Sequence, residues 1–422
     1  MKRPDIRRLP KRGDPQEAQC KLLQGLASKV VSTESVALAV AVGRVLASDV
    51  YSNLNIPAYD KTFIDGYAIN PIDTSSATPS KPAAFTVIGK LFPADYPTDL
   101  QVTRGEAVYV ATGAPIPTGA YAAVKVEETR LKCDRIEIVR PIKSGEGIIP
   151  LGDDVKQGAL LLSHGRVLRP QDVGLLASVG LCKAEVYKKP VVAILSGGDE
   201  LIKRSQKDPE KIPNNYALVV RGLAEELGAT AVVKGIMPDV LELVERQINE
   251  ALAEADFVIT IGGSSVGMKD FVPDAVNRLG KPGVVVQGIN LRPGAVSGFG
   301  MVNEKPVIML PGHIGSCIAG FYFFVAPLIR QLSGLERGDL QPYLSAELAE
   351  SVDSGPQFRF LFVALNRARD KFIAAPVEGG SSALSTIVKA NGYAIIPPHK
   401  CLAKNANLNV FLFGKLETSQ VT

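Results

Sequence analysis

Between Pro190 and Leu335, short apolar runs alternate with longer segments whose apolar residues recur at helical spacing. The run Val191-Val192-Ala193-Ile194-Leu195 precedes a helix predicted over Ala217 to Leu227. Thr230 to Ile236 precedes one over Val240 to Glu254, and Phe257-Val258-Ile259-Thr260-Ile261 precedes one over Phe271 to Leu279. Val307-Ile308-Met309-Leu310 leads into the last, over Ile314 to Leu332. Apolar strands alternating with amphipathic helices predict a doubly wound parallel sheet.

The flanks have other rhythms. From Gln16, residues Leu22, Leu23, Leu26, Val30 and Val31 share a helical face, and Ser32-Thr33-Glu34-Ser35 reads as the cap of a second helix through Arg44 and Val45. Asn53 to Lys143 is rich in Pro, Gly and Thr, with β-branched runs such as Phe85-Thr86-Val87-Ile88 and Ala107-Val108-Tyr109-Val110. That composition predicts an all-β insertion. Gly145 to Lys189 reads as helix and loop, with a short helix from Pro170 through Ala177 that Gly180 ends. Leu344 to Leu416 is strand-rich at Phe358 to Val363, Tyr393 to Ile396 and Asn409 to Phe413, which fits a small β-barrel or sandwich. The expected architecture is multidomain α/β plus β. An elongated helical segment covers residues 1–52 and 145–189, and the β insertion covers residues 53–144. The α/β domain is residues 190–335 and the C-terminal β domain is residues 336–422.

Composition narrows the function classes. With 47 basic and 43 acidic residues, the net charge of +4 gives no concentrated basic face for nucleic acid. The one basic cluster, Lys2, Arg3, Arg7, Arg8, Lys11 and Arg12, reads as a solvated terminus. Five scattered cysteines form no Cys-x-x-Cys pair, so neither a zinc site nor a disulfide scaffold is expected, and a reducing cytoplasm is. No apolar run follows the basic start, so no secretory leader is expected. Val307 to Ile329 carries no charge, but Pro311-Gly312-His313 interrupts it. About 16 residues then remain for a continuous helix, short of the roughly 20 that span a bilayer, and a core helix is expected rather than a membrane span.

Candidate chemistry lies in loops. Ligands of open α/β sheets bind beyond the carboxyl ends of the strands. Three such ends are polar and glycine-rich: Ser196-Gly197-Gly198-Asp199-Glu200, Gly262-Gly263-Ser264-Ser265-Val266-Gly267 and Pro311-Gly312-His313-Ile314-Gly315-Ser316. Glycine lets a ligand approach the backbone, and a following helix offers free N–H groups to an anion. Each loop alone reads as a tight turn; together they predict a phosphate or oxyanion pocket. Asp60-Lys61-Thr62-Phe63-Ile64-Asp65-Gly66-Tyr67 sets two carboxylates beside a turn, either as solvated acids or as Mg²⁺ ligands. Asp153, Asp154, Glu200, Asp239 and Asp270 also fall near loops, where single acids usually cap helices.

The ordered motifs resemble one family. Ala41-Val42-Gly43-Arg44-Val45-Leu46-Ala47, then Pro57, Asp60 and Asp65-Gly66-Tyr67-Ala68, are similar to the opening of the MoeA / gephyrin E-domain family. Thr112-Gly113-Ala114-Pro115, Glu127, Gly152-Asp153-Asp154, the three glycine loops with Asp270, and Arg292-Pro293-Gly294 follow in that family's order. The resemblance spans roughly residues 16–415. It implies an elongated segment, a β insertion, a three-layer, MogA-like α/β domain, a C-terminal β-barrel and a homodimer. The implied reaction is insertion of molybdate or tungstate into adenylylated molybdopterin, with Mg²⁺ and release of AMP. It implies an acidic set of Asp60, Asp154, Glu200, Asp239 and Asp270, with Asp60, Asp239 and Asp270 as Mg²⁺ ligands. Substrate binding falls to Thr112, Ser196, Gly197, Gly262, Gly263, Ser264, Ser265, Gly267, Arg292, Pro293, Gly294, Pro311, Gly312, His313 and Ser316. The pathway suggests contact with a molybdopterin adenylyltransferase.

This chain departs from the family pattern inside the cleft. Lys-Pro-Gly-Lys-Pro is replaced by Arg292-Pro293-Gly294-Ala295-Val296, which keeps one cation and loses another. Asn-Pro-Val-Ser becomes His313-Ile314-Gly315-Ser316, Asn214-Asn215-Tyr216 stands before the first long helix, and Lys61-Thr62 follows Asp60. A protonated His313, Lys61 or Lys269 would restore positive charge. Two functions remain open: a divergent enzyme, or a non-catalytic molybdopterin-binding carrier or scaffold.

Overall fold

The computed structural model describes residues 12–26, 32–202, 208–263, 270–335, 343–377 and 383–414. The chain divides into two compact units, residues 1–35, 43–47 and 185–422 in one, and 36–42 and 48–184 in the other.

The first unit is built on a six-stranded sheet. In chain order its elements are β1 (Val191–Gly197), α1 (Tyr216–Glu226), β2 (Thr230–Met237), α2 (Leu241–Glu254), β3 (Phe257–Ile261), α3 (Val272–Leu279), β4 (Pro282–Gln287), β5 (Gly298–Val302) and β6 (Lys305–Leu310). The strand order is β2-β1-β3-β6-β5-β4. The four strands expected from the apolar pattern are present and parallel. The sheet is nevertheless mixed, because β4 and β5 extend it antiparallel beside β6. Glycines conceal these two strands from a hydrophobicity reading. A Cβ on Gly298 would lie 2.2 Å from the Val286 carbonyl oxygen, and one on Gly300 2.5 Å from Val276.

Alternate residues of each central strand feed opposite cores. Phe257, Ile259, Ile308 and Leu310 pack toward α1, whereas Val258, Val307 and Met309 pack toward α2 and α3. This gives three layers. The last helical run starts as α4 (Ile314–Gly320), widens into a π-helical turn over Phe321–Val325 and continues as α5 (Ala326–Leu332). Ile314–Leu332 is long and apolar enough to cross a membrane, but 72% of it is buried, as in a core helix.

The N-terminal helix, Pro15–Gln24, is capped by Asp14. Its Ala18 and Leu22, with Leu26 beyond it, enter the same core as the α4–α5 run. Gln19 Nε2 donates to the Phe323 carbonyl (2.7 Å) and Gln331 Nε2 to the Leu23 carbonyl (3.0 Å). This helix therefore belongs to the α/β core and not to an elongated segment. Val30 and Val31 lie outside the described residues.

The C-terminal strands close on themselves. Phe358–Ala368 pairs with both Lys371–Pro376 and Gly392–Ile396, and Tyr343–Leu348 and Asn407–Leu412 complete the ring. The result is a barrel, not a sandwich. An aromatic stack, Phe360, Tyr393 and Phe411, meets Tyr322 of the π turn and joins the barrel to the α/β core.

The second unit carries the expected β insertion. Six strands between Gly66 and Ile138 form one sheet, with an apolar cluster on each face. One helical expectation fails. The predicted helix after Ser32 is a strand, Thr33–Ala37, and a single 3₁₀ turn, Leu38–Val40. Burial alternates along that strand, and Val40 and Val42 stay exposed, so no apolar stripe exists for a helix to bury. In residues 145–189 the one described helix is Pro170–Ser178, and the rest is short strands and turns.

That helix begins beside a buried carboxylate. Asp172 accepts from the guanidinium groups of Arg166 and Arg169 at 3.0–3.1 Å and from the Arg169 N–H at 2.9 Å. The two arginines, Arg169 foremost, hold its carboxyl far below the usual carboxylate range. A lowered folded pKa stabilises fully above the unfolded value of about 4 and is lost as pH falls toward the folded value. Asp172→Asn should therefore lower the urea midpoint at pH 7, and the gap to the parent should narrow progressively as pH falls below about 4. A gap of the same size at pH 2 as at pH 7 would mean the ion pair contributes nothing.

Candidate active site

β1, β3 and β6 are adjacent and parallel, so their carboxyl ends lie on one edge of the sheet. There three glycines meet. A Cβ on Gly262 would lie 3.1 Å from the Gly197 carbonyl oxygen and 4.0 Å from the Gly312 Cα; one on Gly197 would lie 3.5 Å from the Gly262 carbonyl. Gly262 and Gly263 also have φ of +80° and +68°, a region L-residues rarely adopt. The Gly262 N–H continues the ladder to the Leu310 carbonyl (2.9 Å), and the Val272 N–H that opens α3 donates to Gly263 (3.1 Å).

Above this floor lies a cavity of about 720 Å³. Ser196, Gly197, Glu200, Asp239, Gly262, Gly263, Asp270, Pro311, Gly312 and His313, expected on sequence grounds, all line it. Ser196 is fully buried, and its hydroxyl donates to Asn214 Oδ1 (2.9 Å). Asn214, noted in the sequence only as a departure, thus ties the β1 loop to the start of α1. The backbone around Glu200 is fixed by a short parallel pair, Leu201–Ile202 with Ile212–Pro213. The Glu200 carboxylate folds over Gly198, where a Cβ would sit 2.3 Å from it. The Asp239 N–H donates to Asp199 Oδ1 (3.1 Å). Glu200, Asp239 and Asp270 make this cavity acidic. Among the described residues no three His, Cys, Asp or Glu side chains come close enough to hold a metal by themselves. Ser264, Ser265, Gly267 and Lys269 lie outside the described residues.

The remaining expected residues of this unit line a second cavity of similar size. Arg292, Pro293, Gly294 and Ser316 lie there, and Val296, Pro311 and His313 are common to both cavities. The single cradle expected from the sequence is therefore two neighbouring chambers. Barrel residues Arg359, Phe360 and Phe362 form part of the second wall. Leu291–Arg292 pairs in parallel with Phe358–Arg359, so Arg292 and Arg359 are register partners. Like charges directly opposite repel, and no acidic side chain stands among the described lining residues. Arg359 Nη1 donates to the Asp353 carbonyl (2.7 Å). Such a chamber suits an anion. Cys317 of α4 is fully buried, and burial pushes its thiol up to about 12.

Asp60, Thr112 and Asp154 belong to the other compact unit and are exposed. Asp60 Oδ1 accepts from the Leu151 N–H (2.7 Å), and Gly152 N–H donates to the Pro57 carbonyl (2.9 Å), which ties the Asp153-Asp154 loop to the Asp60 turn. Thr112 donates its N–H to Asp65 Oδ1 (2.8 Å). Sequence reasoning missed Arg359 and dismissed Arg12, which also lines the second cavity. Arg359 had a signal, a lone cation inside the apolar strand Phe358–Val363.

Three family models match in sequence order: the MoeA N-terminal region (domain I and II) over residues 14–180, a probable molybdopterin binding domain over residues 193–331, and the MoeA C-terminal region (domain IV) over residues 345–413. A Bacillus subtilis protein named molybdopterin molybdenumtransferase is 32% identical over 374 residues, with 86% of each chain covered. One of that name from Staphylococcus aureus is 31% identical over 370 residues, 86% of this chain and 87% of the other. The solved structure of a molybdopterin biosynthesis MoeA protein from Pyrococcus horikoshii superposes with a TM-score of 0.84 at 29% identity, over 96% of this chain and all of the other.

The glycine floor is directly testable. Gly262→Ala adds a methyl 3.1 Å from a carbonyl oxygen at a φ of +80°, which should cost roughly 1–3 kcal/mol. Thermal denaturation should show a drop of several degrees; an unchanged melting temperature would mean the loops separate freely.

Proposed function

The chain belongs to the MoeA family of molybdenum-cofactor biosynthesis, and from that premise we propose that it inserts molybdate or tungstate into adenylylated molybdopterin, releasing AMP. The observation that carries this reading is the sorting of charge between two adjoining chambers. One holds carboxylates beside glycine loops, and the other, among its described lining residues, holds arginines and no acid. The substrate pair needs both environments.

The glycine loops would receive the phosphoanhydride and pterin, since their backbones leave room for close approach. Arg292 and Arg359 would bind the tetrahedral oxyanion by charge-assisted hydrogen bonds. His313 and Pro311, common to both walls, would stand between the two ligands. Mg²⁺ would supply charge neutralisation on the phosphoanhydride. Magnesium characteristically takes one or two carboxylates and completes its shell with phosphate oxygens and water, so Asp239, Asp270 and Glu200 suit it although they form no complete cage. Asp60, Asp154 and Thr112 are proposed as further site residues on the motif resemblance.

A homodimer is part of the proposal. Tyr51 and Leu160 are cross-strand partners, both about half exposed, which leaves an apolar pair for a second copy to cover. An adenylyltransferase would supply the substrate, and a cytoplasmic setting fits the unpaired cysteines.

AMP release from adenylylated molybdopterin, with molybdate and Mg²⁺, tests the reading. Parent protein should release AMP only when molybdate is present. Asp239→Asn and Asp60→Ala should each slow it at least 100-fold. Tight binding of the substrate without release, unaffected by either substitution, would identify a carrier instead.

A further inference from the structure

The arginine chamber has a third guanidinium, and it comes from the other end of the chain. Arg12 lines the cavity with Arg292, Arg359 and Ala295, the last contributing only a methyl group. Backbone bonds hold Arg12 in position. The Gly13 N–H donates to the Gly288 carbonyl (3.1 Å), and the Gly13 carbonyl accepts from the Asn290 N–H (2.9 Å). The same short segment is bonded to the cavity wall, with the Ile289 N–H donating to Ala295 (3.0 Å), and its Asn290 carbonyl accepts from the Phe358 N–H next to Arg359 (3.0 Å). All three arginines therefore hang from one small backbone ladder.

The segment behind Arg12 is anchored in the core. Asp14 caps the N-terminal helix, that helix is sunk in the core, and Gln19 ties it to the π turn. Neither the Arg12 nor the Arg292 guanidinium has a hydrogen bond or ion pair among the described residues. A third cation brought to two that already face each other raises the electrostatic energy of the chamber, and a bound anion lowers it. We infer that Arg12 is a binding residue for the tetrahedral oxyanion, delivered by the N-terminal segment. The inference rests on the oxyanion reading of this chamber proposed above.

Equilibrium dialysis of the full chain against molybdate, with bound molybdenum measured by elemental analysis, tests it. Arg12→Ala should weaken binding roughly 10- to 150-fold, the loss of one charge-assisted hydrogen bond. Arg12→Lys should lose less. Gly13→Pro keeps the charge but removes the N–H that docks on Gly288, and should also weaken binding. Because Arg12 is exposed, the melting temperature of Arg12→Ala should equal that of the parent. Weakened binding in Arg292→Ala and Arg359→Ala, with Arg12→Ala equal to the parent, would overturn this inference and leave the proposed function standing. Parental affinity in all three would instead overturn the oxyanion reading of the chamber. A parallel dialysis against inorganic phosphate separates the two possible anions: Arg12-dependent phosphate binding without molybdate binding would reassign the residue to the phosphate end of the substrate.

Discussion

Contact between the backbones of Gly197, Gly262 and Gly312 sets the geometry of the site. These residues end three neighbouring strands, and no side chain separates them. Any residue larger than glycine at Gly262 would push the loops apart and move what they carry. Glu200 follows the first loop, Asp270 stands at the far end of the second, and His313 adjoins the third. The acidic chamber is therefore dimensioned by backbone contact and not by side-chain packing.

Charge is sorted across that floor. Carboxylates and phosphates repel, so an acidic chamber needs a cation or donor-rich backbone before it takes a phosphorylated ligand. The arginine chamber has the opposite requirement. Val296, Pro311 and His313 line both chambers and so lie where the two sets of charges adjoin. The barrel contributes to this division, since the stack of Tyr322, Phe360, Tyr393 and Phe411 fixes the strand that bears Arg359.

Much of this was legible in the sequence, for identifiable reasons. β1, β3 and β6 are buried on both faces and so read as uninterrupted apolar runs, whereas the edge strand β2 is exposed at alternate positions. β4 and β5 were hidden by Gly283, Gly298 and Gly300, which shorten side chains where backbones must approach. The segment after Ser32 misled because its cap-like Ser-Thr-Glu-Ser preceded apolar residues, yet Val40 and Val42 face outward. Glycine loops pointed to the acidic chamber because their need for close approach is local. The arginine chamber was only half visible. Arg292 sits in a motif, but Arg12 and Arg359 reach it through long-range pairing, which no spacing along the chain encodes.

The tie between Gln19 and Phe323 joins residues 304 positions apart. At about 5–20 residues per second of synthesis, the N-terminal helix leaves the ribosome roughly 15–60 s before its dock exists. Its apolar face, Ala18 and Leu22, must wait uncovered through that interval. This helix therefore finds its place only after the π turn has been made, and a nascent chain stalled before that turn would hold the β insertion but an unfinished α/β core.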